Sequence, residues 1–286
     1  MSGVFLSEAV GAEIHARYRD LLTFWPGAHE PLFVPTRQGE TFVMACGAQG
    51  APPLVLLHGS MSVAAAWMGD AAAWSERFRI YAVDLIGEPG LSAPSRPPLD
   101  GDAYAAWLDD VMDGLDLERA AFVGMSLGGW LALDYAMRRP GRVERLALLC
   151  PAGVGRQRYF ALRVALQVLL GPWGVRKVRE WAFGPTPRDL PPIARKFVEL
   201  MALINRGVRP RMARIPVFDD AALRVLTLPM LVILGGRDLT IDSFDTRRRL
   251  ARTNPTVEIE FRPDAGHHIP DRTEAVLAFL SRPTSG

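Results

Sequence analysis

The chain has 286 residues, of which 49% are hydrophobic and 22% are charged. This composition excludes a disordered chain, and the length allows one large domain or two small ones. The 33 basic and 31 acidic residues leave a formal net charge of +2. That balance argues against nucleic-acid binding, because nucleic-acid-binding domains usually carry a clear basic excess.

The predicted elements begin with a helix from Ser7 to Trp25 and a hairpin formed by Leu32–Pro35 and Thr41–Ala45. From there apolar, strand-like segments alternate with helical ones. The predicted strands are 53–57, 79–85, 120–125, 143–150, 230–234 and 257–261, and the predicted helices between or after them are 63–74, 104–115, 127–138, 243–251 and 273–279. This alternation predicts an α/β fold with a mostly parallel eight-stranded sheet covered by helices on both faces.

The alternation is interrupted between residues 153 and 228. This stretch has a predominantly helical pattern and is divided by Gly-Pro and Pro-Pro pairs. We therefore predict a helical insertion at 153–228 in a single core domain, which comprises residues 1–152 and 229–286. The part from 155 to 215 holds 13 basic and three acidic residues, so the rest of the chain is net acidic.

Neither the cysteines nor the apolar segments indicate an unusual environment. Cys46 and Cys150 lie in strand-like runs without metal-site spacing and are expected to be buried free thiols. No stretch combines the length and continuous hydrophobicity of a membrane span, and the first residues lack the pattern of a secretion signal. We expect a cytoplasmic protein with no integral membrane association.

A Gly-Met-Ser-Leu-Gly sequence at residues 124–128 matches the G-x-S-x-G pattern. It lies between a predicted strand and a predicted helix, where this pattern forms a sharp turn that lifts the serine above the sheet. Gly124 and Gly128 supply the room that the turn needs. The free N–H groups at the start of the following helix favour developing negative charge. We therefore predict that Ser126 is a nucleophile.

A serine hydroxyl needs a base to take its proton. His267 and His268 follow the last predicted strand, in a loop at the same edge of the sheet as the serine turn. Asp238 follows the preceding strand and reaches this edge as well, so the order along the chain is nucleophile, acid, base. At this point His268 is an alternative base and Asp242 an alternative acid.

These motifs resemble those of the α/β-hydrolase superfamily, over a range from about Leu32 to Leu280. Five short signatures occur in the expected order: Leu-Leu-His-Gly at 56–59, Asp-Leu-Ile-Gly-Glu-Pro-Gly-Leu-Ser at 84–92, Gly-Met-Ser-Leu-Gly-Gly at 124–129, Gly-Arg-Asp at 236–238 and Gly-His at 266–267. The resemblance implies a catalytic triad of Ser126, His267 and Asp238. It favours His267 over His268 because the superfamily pattern is Gly-His.

The resemblance also implies an oxyanion hole. One donor would be the Leu127 N–H, and the other an N–H that follows His58-Gly59, either that of Ser60 or, failing that, that of Met61. His58 is expected to support this turn. Asp84 and Glu88 are expected to shape the loop after the fourth strand without taking part in the chemistry.

The serine nucleophile restricts the reaction that the resemblance implies. Haloalkane dehalogenases and epoxide hydrolases of this superfamily use aspartate at the turn, and dienelactone hydrolases use cysteine. The expected reaction is acyl transfer to water through an acyl-enzyme, by a carboxylesterase acting on small-molecule acyl esters, with no cofactor and no metal. A thioesterase, lactonase or carbon–carbon bond hydrolase with the same triad, a lyase or cyclase, and a ligand-binding protein are the alternatives.

In this superfamily, helices inserted at this point of the chain form a cap over the active site, so the resemblance implies that residues 153–228 are a cap. Met61, Trp130, Trp173 and His268 are candidate substrate-binding residues. The basic character of the insertion has two interpretations, a solvated outer face or a surface that attracts an anionic substrate or partner.

Overall fold

The computed structural model describes residues 3–157, 171, 173–174 and 189–283. These residues contain an eight-stranded sheet with the order β1-β2-β4-β3-β5-β6-β7-β8. The strands are β1 (His29–Val34), β2 (Thr41–Cys46), β3 (Pro53–Leu57), β4 (Arg79–Val83), β5 (Ala120–Met125), β6 (Val143–Leu149), β7 (Met230–Gly235) and β8 (Glu258–Arg262). Strand β2 pairs antiparallel with β1 and β4, and all other pairings are parallel. The predicted α/β sheet is confirmed.

Helices cover the sheet close to the predicted positions. They are α1 (Glu8–Leu22), α2 (Met68–Trp74), α3 (Ala103–Gly114), α4 (Leu127–Arg138), α5 (Pro192–Gly207), α6 (Asp220–Arg224), α7 (Ser243–Thr253) and α8 (Thr273–Leu280). The helix predicted over 63–74 is divided, because a 3-10 turn at Ala64–Trp67 precedes α2. The Ala64 N–H at the start of this turn donates to Asp84 Oδ1 at 2.7 Å, a long-range contact that local sequence does not encode. No helix in the described ranges is long and apolar enough to span a membrane.

The two faces of the sheet carry separate hydrophobic cores. Val55 and Phe122 pack on one face with Trp107 of α3, whereas Leu54 and Val123 pack on the other. Successive side chains of a strand point to opposite faces, so neighbouring residues enter different cores. A strand buried on both faces must be apolar throughout, which is why the parallel strands appear in the sequence as uninterrupted apolar runs. This arrangement leaves the carboxyl ends of the strands free to present polar side chains.

Helix α1 connects a helix of the predicted insertion to the core. It packs against α5, where Lys196 Nζ lies 2.6 Å from Asp20 Oδ2. On its other side the Tyr18 hydroxyl donates to Asp84 Oδ1 at 2.9 Å. Of the predicted insertion, residues 158–170, 172 and 175–188 lie outside the described residues.

Candidate active site

Ser126 occupies a strained turn between β5 and α4. Its φ of 53° and ψ of −112° place it in a region that non-glycine residues seldom adopt, and such strain is concentrated at functional sites. The turn is possible because α4 starts against the end of β3: a Cβ on Gly128 would lie 2.1 Å from the Leu57 carbonyl oxygen. The loop after β3 also passes next to the serine, since a Cβ on Gly59 would lie 3.4 Å from Ser126 Cβ.

Asp238 and His267 form a close pair beyond the carboxyl ends of β7 and β8. The Nδ1 atom of His267 lies 2.7 Å from Asp238 Oδ2. The Asp238 side chain is fully buried, whereas 19% of the His267 side chain is exposed. Because the carboxylate accepts from Nδ1–H, the proton of the neutral imidazole stays on Nδ1 and Nε2 is left as a base.

The electrostatics of this pair keep Asp238 ionised. Burial by itself would raise the pKa of the Asp238 carboxyl, but the hydrogen bond and charge of His267 outweigh it, and the pKa is lowered. The Thr240 hydroxyl and the Ile241 N–H support the same carboxylate. An ionised acid can then stabilise an imidazolium at His267 during proton transfer.

Thr240 joins both members of the pair, and the sequence analysis did not identify it. Its Oγ1 donates to Asp238 Oδ1 at 2.7 Å and lies 2.8 Å from His267 Nδ1. Since its hydrogen is used on the carboxylate, its oxygen accepts from Nδ1–H, which therefore has two acceptors. The available signal was a threonine two residues after the aspartate, a spacing at which an aspartate commonly accepts hydrogen bonds from the following turn.

The alternative base and acid are placed differently. His268 is exposed and makes no hydrogen bond within the part of the chain that the structure describes. Asp242 caps α7, where its side chain accepts from the Asp245 N–H at 3.0 Å. The close contact with the imidazole is made by Asp238.

The backbone N–H groups near Ser126 differ in whether they are already engaged. Within the described residues, the N–H groups of Leu127 and Ser60 have no hydrogen-bond acceptor. The Met61 N–H, by contrast, donates to Glu88 Oε2 at 2.7 Å. Among the three candidates, the N–H groups of Leu127 and Ser60 are therefore the ones that remain available to a ligand.

His58 lies beneath this loop as a neutral, buried imidazole. Its Nε2 accepts from the Leu85 N–H at 3.0 Å, so its Nδ1 carries the proton and donates to the Gly59 carbonyl at 2.8 Å. Burial lowers the pKa of His58 to about 4. The neighbouring Asp84 accepts hydrogen bonds from the Ala64 and Leu91 N–H groups. Both residues thus tie the loops after β3 and β4 together, as expected from the sequence.

Cys150 lies next to the acid of the pair. It follows β6, it is fully buried, and its thiol hydrogen-bonds to Asp238. One atom each of Cys150, Asp238 and His267 could bind a metal ion, since these atoms lie within 4.8 Å of one another. Burial and the nearby carboxylate raise the pKa of the Cys150 thiol, so the thiol stays protonated at neutral pH and does not compete as a nucleophile.

The remaining candidate substrate-binding residues have different environments. Trp130 is buried, its indole N–H donates to the Pro216 carbonyl at 2.9 Å, and its ring stacks on Phe218. These contacts favour packing beneath the predicted insertion over contact with substrate. Met61 is partly buried, and half of the Trp173 surface is exposed.

Known proteins resemble this chain along most of its length. The model of the alpha/beta hydrolase family matches residues 54–279. The uncharacterized carboxylesterase nap of Bacillus subtilis is 33% identical over 261 residues, which cover 90% of this chain and 87% of that protein. Carboxylesterase YbfK of the same organism is 32% identical over 269 residues, which cover 92% of this chain and 90% of that protein. The crystal structure of naproxen esterase from Bacillus subtilis superposes with a TM-score of 0.82 at 32% identity, over 96% of this chain and 99% of that chain.

Proposed function

Because the chain belongs to the α/β hydrolase family and is carboxylesterase-like over most of its length, we propose that it hydrolyses carboxylic esters by a serine mechanism. The observation that carries the proposal is the 2.7 Å contact between His267 Nδ1 and Asp238 Oδ2, at the sheet edge where β5 leads into the strained turn at Ser126. The relatives support an ester substrate.

In the proposed first step, the Ser126 Oγ attacks the ester carbonyl carbon while His267 Nε2 takes the hydroxyl proton. The tetrahedral intermediate collapses when its bond to the alkoxy oxygen breaks, and His267 returns the proton to the departing alcohol. Water then attacks the acyl-enzyme, His267 takes a proton from it, and the acid leaves as Ser126 recovers its hydrogen. Asp238 stays ionised throughout, and each proton is moved by a side chain of this chain.

We assign the oxyanion hole to the N–H groups of Leu127 and Ser60. Both lack an acceptor among the described residues, and both flank the place where Gly59 approaches Ser126. Met61 is a poorer candidate because its N–H is bound to Glu88. One such donor typically contributes about 3–4 kcal/mol of transition-state stabilisation.

The substrate is proposed to be a small-molecule acyl ester. We also propose that residues 153–228 form a cap on the core made by 1–152 and 229–286. Trp130 supports this division, because its hydrogen bond and its stacking contact are both with the segment that leads back from the insertion. An enclosed site would strengthen the electrostatic interactions within it by excluding water.

The proposal is tested with a fluorophosphonate probe, which reacts with activated serines. We expect labelling of the wild-type chain and none of Ser126→Ala, while Ser281→Ala, which alters an exposed serine at the end of α8, is labelled normally. A series of nitrophenyl esters of graded acyl length, with matched thioesters and lactones, then identifies the preferred bond. A folded wild-type chain that is neither labelled nor active on any ester would contradict the proposal and favour a lyase, a cyclase or a ligand-binding protein.

A further inference from the structure

The carboxylate of Glu88 connects two loops that meet beside the serine turn. Glu88 lies in the loop after β4, and its side chain is almost completely buried. Its Oε2 accepts from the Met61 N–H at 2.7 Å. Met61 has a φ of 56°, in the left-handed region that non-glycine residues rarely adopt. Because this conformation is unfavourable by itself, the hydrogen bond that the Met61 N–H donates to Glu88 helps to hold the loop in it.

The second oxygen of Glu88 faces a charge from the predicted cap. Arg211 Nε lies 3.7 Å from Glu88 Oε1, and both side chains are buried. The guanidinium of Arg211 is itself held by the Tyr104 hydroxyl, to which its Nη2 donates at 2.6 Å. A buried carboxylate needs such a partner, since an uncompensated charge is expensive away from water.

The ion pair is incomplete in one respect. Within the described residues, Glu88 Oε1 and Arg211 Nε are both buried and neither has a hydrogen-bond partner. Their separation of 3.7 Å exceeds the 2.7–2.9 Å of a charge-assisted hydrogen bond by roughly 1 Å. A small shift of the segment that carries Arg211 therefore closes or widens this gap.

A second contact links the same two segments. Arg96 Nε donates to the Gly87 carbonyl at 2.7 Å, and its Nη2 donates to the Arg209 carbonyl at 2.9 Å. The backbone on either side of Glu88 and Arg211 is thus connected twice.

We propose that Glu88 is a positioning residue for the oxyanion hole, and that Arg211 couples its position to the segment leading back from the cap. Glu88 holds the Met61 N–H and with it the Ser60–Met61 peptide, which adjoins the peptide that carries the Ser60 N–H and thereby restrains the position of that donor. Closure of the gap to Arg211 draws the carboxylate into one position and completes the donor geometry. This inference rests on the proposed esterase function.

The test compares Glu88→Ala, Glu88→Gln and Glu88→Asp on a nitrophenyl ester that the wild type hydrolyses. Glu88→Ala removes the acceptor of the Met61 N–H, so kcat should fall about 10- to 100-fold, the effect of a donor displaced by about 1 Å, while KM changes little. Glu88→Gln keeps an oxygen for the Met61 N–H and should recover most of this loss. Glu88→Asp keeps the charge beside Arg211 but is too short to hold Met61, and should resemble Glu88→Ala.

Asp245→Ala is the matched control. Asp245 is also a buried carboxylate that accepts a backbone N–H, that of Arg156 at 2.9 Å, and pairs with an arginine, Arg248. It lies in α7 away from the loop at Met61, so its loss should lower the melting temperature and leave kcat per folded molecule unchanged. Equal effects of Asp245→Ala and Glu88→Ala on kcat would indicate a purely structural role for Glu88 and overturn the inference.

A second readout is the affinity for a boronic acid, which forms a tetrahedral adduct with an active-site serine. Glu88→Ala should weaken this affinity by the same factor as kcat, because both depend on the oxyanion donors. If Glu88→Ala does not fold, Glu88→Asp and Arg211→Gln replace it, and a kcat within twofold of the wild type in both would refute the inference. Failure of the wild type to hydrolyse esters or to react with a fluorophosphonate would instead refute the proposed function.

Discussion

Replacement of Thr240 by valine removes a single hydroxyl from the contact between acid and base. Valine has nearly the same shape, and the Thr240 backbone N–H, which donates to Asp238 Oδ1 at 2.7 Å, is retained. Asp238 also keeps the Ile241 N–H at 3.0 Å. The carboxylate therefore keeps both of these backbone hydrogen bonds, and the variant should fold.

The expected loss follows from the contacts that disappear. The hydroxyl donates to Asp238 Oδ1, which also accepts from the Thr240 and Ile241 N–H groups, and the hydroxyl oxygen accepts from His267 Nδ1. A hydrogen bond to a charged group contributes about 1.5–3 kcal/mol. Only the increase in hydrogen-bond strength that occurs when the imidazole becomes charged in the transition state affects the rate. We therefore expect the loss of the hydroxyl to raise the activation free energy by about 1.4 kcal/mol, which lowers kcat/KM tenfold. Loss of the acid itself, in Asp238→Asn, should be far larger, about 10⁴-fold, as for the aspartate of other serine triads.

The assay is kcat/KM for a nitrophenyl ester, measured with the rate of fluorophosphonate labelling. Thr240→Ser keeps the hydroxyl and should be near wild type. Thr253→Val is a matched control, because the Thr253 hydroxyl donates to the Arg249 carbonyl within α7 and, among the residues that the structure describes, makes no contact with the acid or the base. If Thr240→Val and Thr253→Val have the same kcat/KM, the hydroxyl has no part in orienting the base.

Two further predictions concern the loops around the serine turn. Gly128→Ala would place a Cβ 2.1 Å from the Leu57 carbonyl oxygen and should lower the unfolding free energy, measured by urea denaturation, by about 1–3 kcal/mol. Gly141→Ala is the control, because the space around Gly141 is open and its stability should not change. Equal stability of the two variants would contradict the prediction. Because the pKa of His58 is lowered from 6.5 to about 4, the folded state resists protonation, and its stability falls by about 2 kcal/mol from pH 7 to pH 5. In His58→Gln this fall should be smaller, and an unchanged fall would exclude His58 as its source.

The fold could be predicted because each element carries its own signal. Strands β3 and β5 and helix α4 begin and end where the apolar runs and the glycine-flanked serine predict. The prediction was wrong where a distant residue sets the local conformation. At Ala64–Trp67 the carboxylate of Asp84 binds the first N–H of the turn, and a 3-10 turn replaces the start of the expected helix.

In the candidate site, too, some residues could be predicted from the sequence and others could not. Ser126, Asp238 and His267 each follow a strand whose carboxyl end lies at the same edge of the sheet, so the order of the elements predicts the observed contact between Asp238 and His267. Thr240 and Cys150 acquire their contacts with Asp238 from the three-dimensional arrangement of the loops. No pattern in the sequence distinguishes that threonine from one in an ordinary turn, or that thiol from any buried cysteine.

The basic charge of the predicted cap is partly paired with acidic charge of the core in the structure. Several basic residues of the insertion pair with acidic residues of the core: Lys196 with Asp20, Arg156 with Asp242 and Asp245, and Arg211 with Glu88. Lys196 and Asp20 are both exposed, and so is Arg156 in the second pairing, so solvent and salt, which screens charges over about 8 Å at physiological ionic strength, weaken these interactions. The Arg211–Glu88 pair is buried and escapes this screening. Salt should therefore weaken the exposed ion pairs between the predicted insertion and the core but leave the buried pair beside the oxyanion loop intact. We expect kcat of the wild type to be independent of salt. In Arg211→Gln the buried pair is lost and the exposed pairs remain, so kcat should fall as salt is added.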